Sequence, residues 1–413
     1  MQPITRTSLS HRMNPFATST EALQQRFLQI ETILLELRPL WQAQPFKQIP
    51  PAWARQYPQL AEAIGSLSDT ELEGVRTDDH RLYQWLSAYL PVFSRIEPLL
   101  ELSTPVTDEP QQWKHLDWAV PGRKWQQITA FSAGINDITR PLIEWCGGKG
   151  HLGRILASKA QVSVTTLEQD AILCEAGVEL AQRARVKQIF TPVDVFSDAT
   201  PNLHQHHVVA LHACGGLHRH LLRKAVSENC PAIDIAPCCY HLYGEQNYIP
   251  FMTDSRLLLS RDDLRIAVTE TVTSRPREVK LRDREMAWKL GFLSLYAKMS
   301  GQHDYYAIAP IDKAWLAEGF EMFCKQLARR EGLEHLLEED HDWDEYEQIG
   351  WQQQAAVMRF SLLRHAIRRL LELWLVMDMA LFLQKNHYQI HMSRFCDKQL
   401  TPRNIRLSAR RTR

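Results

Sequence analysis

Between residues 142 and 237 the chain alternates five short apolar runs with helical stretches, and few folds accommodate that order. The runs are LIEW (142–145), VSVTTLE (162–168), QIFTPVDV (188–195), HVVALHA (207–213) and AIDIAP (232–237), all rich in β-branched residues. HLGRILASK and DAILCEAGVELAQRA lie between them with helical periodicity. Strands and helices at this spacing predict right-handed βαβ units around a buried parallel sheet. The glycine turn of LIEWCGGKGHLG falls where the first strand meets the first helix, at the carboxyl end where such sheets bind ligands.

The flanks read differently. TEALQQRFLQIETILLELRPLW puts Leu23, Phe27, Ile30, Ile33, Leu34 and Leu37 on one helical stripe, started by Ser19 or Thr20 and stopped near Pro39. The Pro-rich STPVTDEPQQ then leads into the central region. After Tyr240 helical patterns dominate, including REMAWKLGFLSLYAKM and VMRFSLLRHAIRRLLELWLVMDMALFL. Two last strands, YQIHMSRF (388–395) and RNIRLSA (403–409), are joined by CDKQLTP, short enough to force an antiparallel hairpin. The expected fold is α/β and Rossmann-like, with five parallel strands and a closing antiparallel hairpin. Its parts are an N-terminal helical domain (1–115), a core (116–244), a helical insertion (245–385), and the hairpin with a basic tail (386–413).

The 48 basic and 48 acidic residues cancel, so global charge advertises neither nucleic acid nor membrane. Local charge is uneven: EGLEHLLEEDHDWDEYE is acidic and the terminal TPRNIRLSARRTR basic. Eight cysteines without a CxxC pair read as reduced thiols, and MQPITRTSLSHRMNPF has no apolar signal core. A soluble, cytoplasmic protein with no membrane partner is the expectation.

The glycine turn fits two adenosine cofactors. Gly148, Gly150 and Gly153 make G-x-G-x-x-G, and Glu168 stands twenty residues past Gly148, as a dinucleotide fingerprint requires. A turn without any ligand is the bland alternative. S-adenosylmethionine suits the same turn, with close backbone approach in place of pyrophosphate binding. Glu144, Glu168 and Asp194 end three successive strands, placed for the ammonium side, the ribose hydroxyls and the adenine amino group respectively. The closing hairpin, which a simple nicotinamide domain lacks, favours methyl transfer over hydride transfer.

EWCGGKGHLGR, LHACGGLH and DIAPCCYH, in that order, resemble the methyltransferase domain of the methyltransferase-like proteins with a Cys-Cys-Tyr-His motif, relatives of the glutathione S-transferase C-terminal domain-containing protein. PGRKWQQITAF (121–131) and LTPRNIRL (400–407) are similar to further signatures of that family. The resemblance covers residues 118–244 and the last twenty. It implies a class I S-adenosylmethionine-dependent methyltransferase with a cofactor site at Glu144, Cys146, Gly147, Gly148, Lys149, Gly150, Leu152, Glu168, Gln169, Asp194 and Val195. His212, Ala213 and Cys214 would line the methyl group. Cys146 stands where the general methyltransferase loop has its first glycine. A residue with a Cβ resists positive φ, so negative φ is expected there, with Gly147 supplying the flexibility.

PCCYH points into the same crevice, making Cys239, Tyr240 and His241 the catalytic candidates. Three readings compete: zinc, a cysteine nucleophile, and a pocket shaped by Tyr240 and His241 with the cysteines packed, which is preferred. No metal is expected, because adjacent cysteines rarely reach one ion and no fourth ligand is evident. His204, His206, His207, His218 and His220 read as a surface cluster. Arg123, Lys124 and Trp125, with Trp113 and Trp118, form either a stacking, phosphate-binding surface or a packed helix start. Arg364 and Arg368, with Arg359 and Arg369, make one helical face able to grip an anionic acceptor. The insertion is expected to form a lid or platform. RNA, ribosomal or transfer, is the preferred acceptor and a protein side chain the rival. A nicotinamide (NAD) oxidoreductase and a non-catalytic cofactor-binding scaffold are the other classes kept open.

Overall fold

The computed structural model describes residues 20–104, 113, 115–269, 276–302 and 304–412. Ser19, most of STPVTDEPQQ and Arg413 of the basic tail lie outside the described residues. The chain forms two compact units, one of Met1–Glu31, Glu101–Val268 and Glu372–Arg413, the other of Thr32–Leu100 and Thr269–Leu371.

The first unit is built on β1 (Leu142–Trp145), β2 (Val164–Glu168), β3 (Gln188–Pro192), β4 (His207–Cys214) and β5 (Ala232–Cys238). A small ribbon follows, β6 (Asn247–Tyr248) with β7 (Leu259–Ser260), and then the hairpin β8 (Tyr388–Arg394) and β9 (Ile405–Arg411). The main sheet runs β3-β2-β1-β4-β5-β9-β8. The pairs among β1 to β5 are parallel, while β9 joins β5 antiparallel and β8 joins β9 the same way. This is the expected sheet, with boundaries shifted by two or three residues in places. Every residue of β1 and β5 is buried, as strands covered on both faces must be. Helix Gly122–Ala133 covers one side, packing Trp125, Ile128 and Phe131 against Leu142, Ile155, Val209 and Phe395.

An apolar sheet seldom buries a carboxylate, yet Asp234, central in β5, is fully enclosed. It is matched from both neighbouring strands. His207 Nε2 of β4 lies 2.7 Å from its Oδ2, Arg410 Nη2 of β9 donates to the same oxygen at 2.7 Å, and the Ser408 hydroxyl donates to Oδ1. Burial pulls this carboxyl upward, but the charge of Arg410 and the bond to His207 outweigh it and hold it well below the ordinary range.

The sheet unit takes in residues that the sequence alone assigns to the insertion. Asp378 accepts from the Tyr248 hydroxyl at 2.7 Å and from the N–H groups of Phe251 and Met252 at 2.9 and 2.8 Å. A buried acid satisfied in this way fastens the segment after β5 to the end of helix Leu362–Lys385.

In the second unit, helices Pro276–Ser300 and Trp343–Phe360 pack together around Trp288, Phe320, Phe323, Leu327 and Tyr346. A Cβ on Gly350 would overlap the Ala287 carbonyl, so glycine is what lets these helices close. The continuous apolar run VMRFSLLRHAIRRLLELWLVMDMALFL is two helices, ending and restarting around Ser361. No helix among the described residues is long and apolar enough to cross a membrane.

Replacing Asp234 with Asn is expected to destabilise the protein by roughly 3–5 kcal/mol in urea unfolding at pH 7, because Arg410 and His207 lose a buried counter-charge. The depressed carboxyl contributes stability above its unfolded value and loses it as pH falls below that value, so the deficit should shrink in acid. A variant as stable as the parent at pH 7 would show that the buried charge holds nothing.

Candidate active site

The carboxyl end of β1 turns through Cys146, Gly147, Gly148, Lys149 and Gly150 into helix His151–Ala160. Cys146 has φ 54°, which overturns the expectation of negative φ; Gly148 (58°) and Gly150 (64°) are also left-handed. Gly147 is not the flexible position. Its missing Cβ is needed for space, since one would stand 2.6 Å from Glu144 Cδ and Thr166 Cγ2. Gly147 N–H still bonds Leu167 O of β2 at 3.1 Å, so the ladder persists and the reversal falls on Cys146. A left-handed L-residue costs about 1–2 kcal/mol, and such strain concentrates at functional sites.

The two acids under this loop do different work. Glu144 is buried, accepts from the Thr166 hydroxyl at 2.8 Å, and also bonds the backbone of Gly153 and Leu152 at the helix N-terminus. Burial, only partly offset by those bonds, pushes its carboxyl up to about 7. Glu168 accepts from Gly148 N–H at 2.9 Å through Oε2 and from Gln169 and Asp170 N–H at 2.9 and 3.1 Å through Oε1. It thereby holds the loop at an open point: apart from Gly148 and its two chain neighbours, nothing lies within 4 Å of where a Gly148 Cβ would stand. Asp194 is exposed past β3 and accepts from Phe196 N–H at 2.9 Å. Cys146 registers the convergence: burial first, then the charges of Glu168, Cys214 and Asp194, push its thiol up to about 12.

The ends of β4 and β5 form the other wall. β4 carries an irregularity between Leu211 and Cys214, where His212 takes φ 71° and sets Nε2 3.1 Å from Gln127 Oε1. LHACGG and PCCYH then interlock backbone to backbone. Gly215 N–H donates to Cys238 O at 3.0 Å and Gly216 N–H to Leu242 O at 2.8 Å. A Cβ on Gly215 would overlap Leu242 O, and one on Gly216 would overlap Tyr243 O, which explains both glycines.

This junction gathers Cys214, Cys238 and Cys239, whose Sγ atoms lie within 4.8 Å of one another. Successive strand residues point opposite ways, but Cys239 has φ 44°, and that turn brings its sulfur to the same side as that of Cys238. Hydrogen bonds from the Cys214 and Cys238 thiols, with Arg403 and His241 nearby, hold Cys239 well below the ordinary thiol range. Cys238 is raised by the same contacts. Tyr240 is buried, its hydroxyl on Pro237 O at 3.4 Å and its ring edge-on to His218. The expected pocket wall of Tyr240 with packed cysteines is therefore reversed: the tyrosine is packed, and Cys214 and Cys239 are partly exposed.

Other expectations shift similarly. Leu152, Val195 and Ala213 are buried by their side chains, leaving only backbone to meet a ligand, while Lys149 and Gln169 stay accessible. Trp125 lies in the core, with the partly buried Trp113 and Trp118 packed against that core, so Trp125 belongs to the packed helix start. Arg123 donates to Leu400 O at 2.9 Å, and Lys124 beside it is exposed. Arg359, Arg364 and Arg368 are not one free face. Arg359 bonds Leu67 O and pairs with Asp69, Arg364 bonds Trp41 O and Ala43 O, and Arg368 is buried. Two of the five histidines expected in a surface cluster are buried instead, while His204 is exposed. His207 holds Asp234, and His218 is buried with Nδ1 2.9 Å from Ala213 O. Gln127 and Arg403 are the site neighbours that sequence reading missed; both lie in segments already marked as signatures, PGRKWQQITAF and LTPRNIRL.

Residues 123–246 match the model of a family described as a methyltransferase domain. No curated protein sequence matches the chain. Among solved structures, the chain is similar to the tRNA (uracil-54, C5)-methyltransferase of Pyrococcus abyssi in complex with S-adenosyl-L-homocysteine, at 18% identity over 28% of this chain and 29% of that one, TM-score 0.24. It is similar to the 23S rRNA methyltransferase ErmE at 19% identity, over 27% of this chain and 44% of that one, TM-score 0.23. Coclaurine N-methyltransferase, bound to N-methylheliamine and S-adenosyl-L-homocysteine, matches at 15% identity over 45% and 62%, TM-score 0.26. The chain spans less than two thirds of each of these three. The sheet order found here agrees with that match, and the two together give the central region the α/β fold of a class I methyltransferase domain. The open face of Gly148, held by Glu168, fits an adenosyl ligand that approaches backbone closely.

An acid raised from its unfolded value to about 7 binds its proton more tightly in the folded chain. It therefore costs stability as pH rises through that window, and the full cost stands above it. Glu144→Gln should gain on the parent between pH 5 and pH 8, by about 3 kcal/mol at most in urea unfolding. Parallel pH profiles for the two proteins would count against a raised Glu144.

Proposed function

We propose that the protein transfers a methyl group from S-adenosylmethionine to an RNA acceptor, ribosomal or transfer. The observation that carries this reading is the charge beside the methyl-facing wall. Burial lowers His212 first, and then the cations Lys124 and Arg403; burial likewise lowers His241, along with Arg265 and Arg261. Arg265 is paired with Asp262, and the remaining Lys124, Arg403 and Arg261 around one end of a crevice favour a polyanion over a neutral small molecule. The three ordered motifs support placing the chain among the Cys-Cys-Tyr-His methyltransferase-like proteins.

The cofactor supplies an electrophilic methyl on a sulfonium, and its displacement needs alignment more than proton transfer. Glu168 holds Gly148 and keeps its outer lone pairs for the ribose hydroxyls. Asp194 is placed for the adenine amino group. The bulged His212–Cys214 backbone and the loop from Cys239 to His241 line the acceptor side.

Glu168→Ala should weaken S-adenosylhomocysteine binding by roughly tenfold or more in calorimetry, with a smaller effect on unfolding. Unchanged affinity would remove Glu168 from the cofactor site. The acceptor is tested by incubating the purified protein and tritiated S-adenosylmethionine with RNA and protein pools from a deletion strain. Label in RNA, lost on mutation of Lys124 and Arg403 to Ala, is expected. Label confined to protein would replace the acceptor, and label in neither pool with cofactor binding intact would sink the transfer reading.

A further inference from the structure

We propose that Cys214, Cys238 and Cys239 bind a thiophilic divalent cation, zinc, at the acceptor end of the crevice through three sulfurs and leave one position open. The three Sγ atoms lie within 4.8 Å of one another, and those of Cys214 and Cys238 are 3.5 Å apart. A tetrahedral zinc with Zn–S bonds of about 2.3 Å sets its sulfurs about 3.8 Å apart, so small adjustments complete the site. Adjacency of Cys238 and Cys239 is no obstacle, because the left-handed backbone at Cys239 cancels the usual alternation. That conformation costs free energy, and plain packing of a thiol does not require it.

The surroundings suit an ion. The ligand residues belong to two backbone-interlocked segments, from Cys214 to Gly216 and from Cys238 to Leu242, which fixes the sulfurs before metal arrives. Cys214 and Cys239 are partly exposed, which provides an entry path, while Cys238 closes the inner side. Two imidazole nitrogens nearby, His218 Nε2 and His241 Nδ1, are buried without a hydrogen-bond partner. Neither joins the three-sulfur group among the described residues. Three protein ligands with a fourth position left for water or an acceptor atom is the pattern of a reactive zinc centre rather than a closed structural one. This inference stands apart from the RNA reading, since it concerns the thiols whatever the acceptor.

The test is elemental analysis of the full chain purified under reducing conditions with zinc supplied, alongside Cys214→Ser, Cys238→Ser and Cys239→Ser. Cys174→Ser and Cys324→Ser, which alter buried thiols outside the cluster, serve as controls. Roughly one zinc per chain is expected in the parent and controls, falling tenfold or more in each cluster variant. Cobalt loaded in place of zinc should give sulfur-to-metal charge-transfer absorption that the cluster variants lose. Should Cys238→Ser fail to fold, Cys239→Ser at a partly exposed position decides, with a parent-like circular dichroism spectrum and cooperative thermal unfolding as proof of folding. A parent that takes up neither zinc nor cobalt, full zinc in Cys239→Ser, or a Cys214–Cys238 disulfide in place of metal would each overturn the proposal. None of these readouts depends on methyl transfer, so loss of the acceptor reading leaves them intact.

Discussion

Asp234 is the charge on which the sheet closes. It sits in the middle of β5 and takes its partners from β4 on one side and from β9 on the other. Strand β9 begins more than 160 residues after β5 ends, so apolar complementarity alone would leave its register open to slippage. A buried carboxylate that needs both Ser408 and Arg410 removes that freedom, because a shift by one residue turns both side chains to the opposite face. With β9 in register, the loop before it lies where Arg123 and Gln127 reach Leu400 O. Arg403 is thereby placed close enough to act on Cys239 and His212. The far end of the chain thus helps build the site.

At the carboxyl edge of the sheet a second pattern repeats. Cys146 after β1, His212 within β4 and Cys239 after β5 are all non-glycine residues with positive φ. Cys146 and Cys239 stand where a strand stops, and His212 at the irregularity near the end of β4. The strain is held by bonds on either side: Gly147 to Leu167 O, Gly215 to Cys238 O and Leu242 to Cys239 O. Such positions persist only where surrounding structure over-determines them, and here they share one edge of one sheet. The acids divide along the same edge. Glu144 is spent inside, on the helix N-terminus, and Glu168 faces out while holding Gly148.

Much of this was legible in the residues. The five strand runs, their parallel pairing, the antiparallel hairpin and the acids ending β1 and β2 all follow from period and spacing, which are local properties. The misread residues share a cause. Arg359, Arg364 and Arg368 present a basic stripe on a helical wheel, but a wheel does not show Leu67 O, Trp41 O and Ala43 O waiting for them. His207 and His218 read as surface residues because their partners, Asp234 and Ala213 O, are invisible to spacing. Trp125 could be stacked or packed on sequence grounds, and the core around Phe131 and Ile155 packs it.

The sequence by itself determined the α/β class, the glycine turn, the closing hairpin and the identity of three motifs, because each is written in contiguous residues. Only the tertiary structure decided what those motifs do to one another. It put the left-handed turn on Cys146 rather than Gly147, packed Tyr240 away, and brought Cys214 across from β4 to Cys238 and Cys239. The physical reason is that backbone strain and thiol convergence depend on groups far apart in the chain, brought together by a sheet whose strand β9 is held in register by a single buried charge.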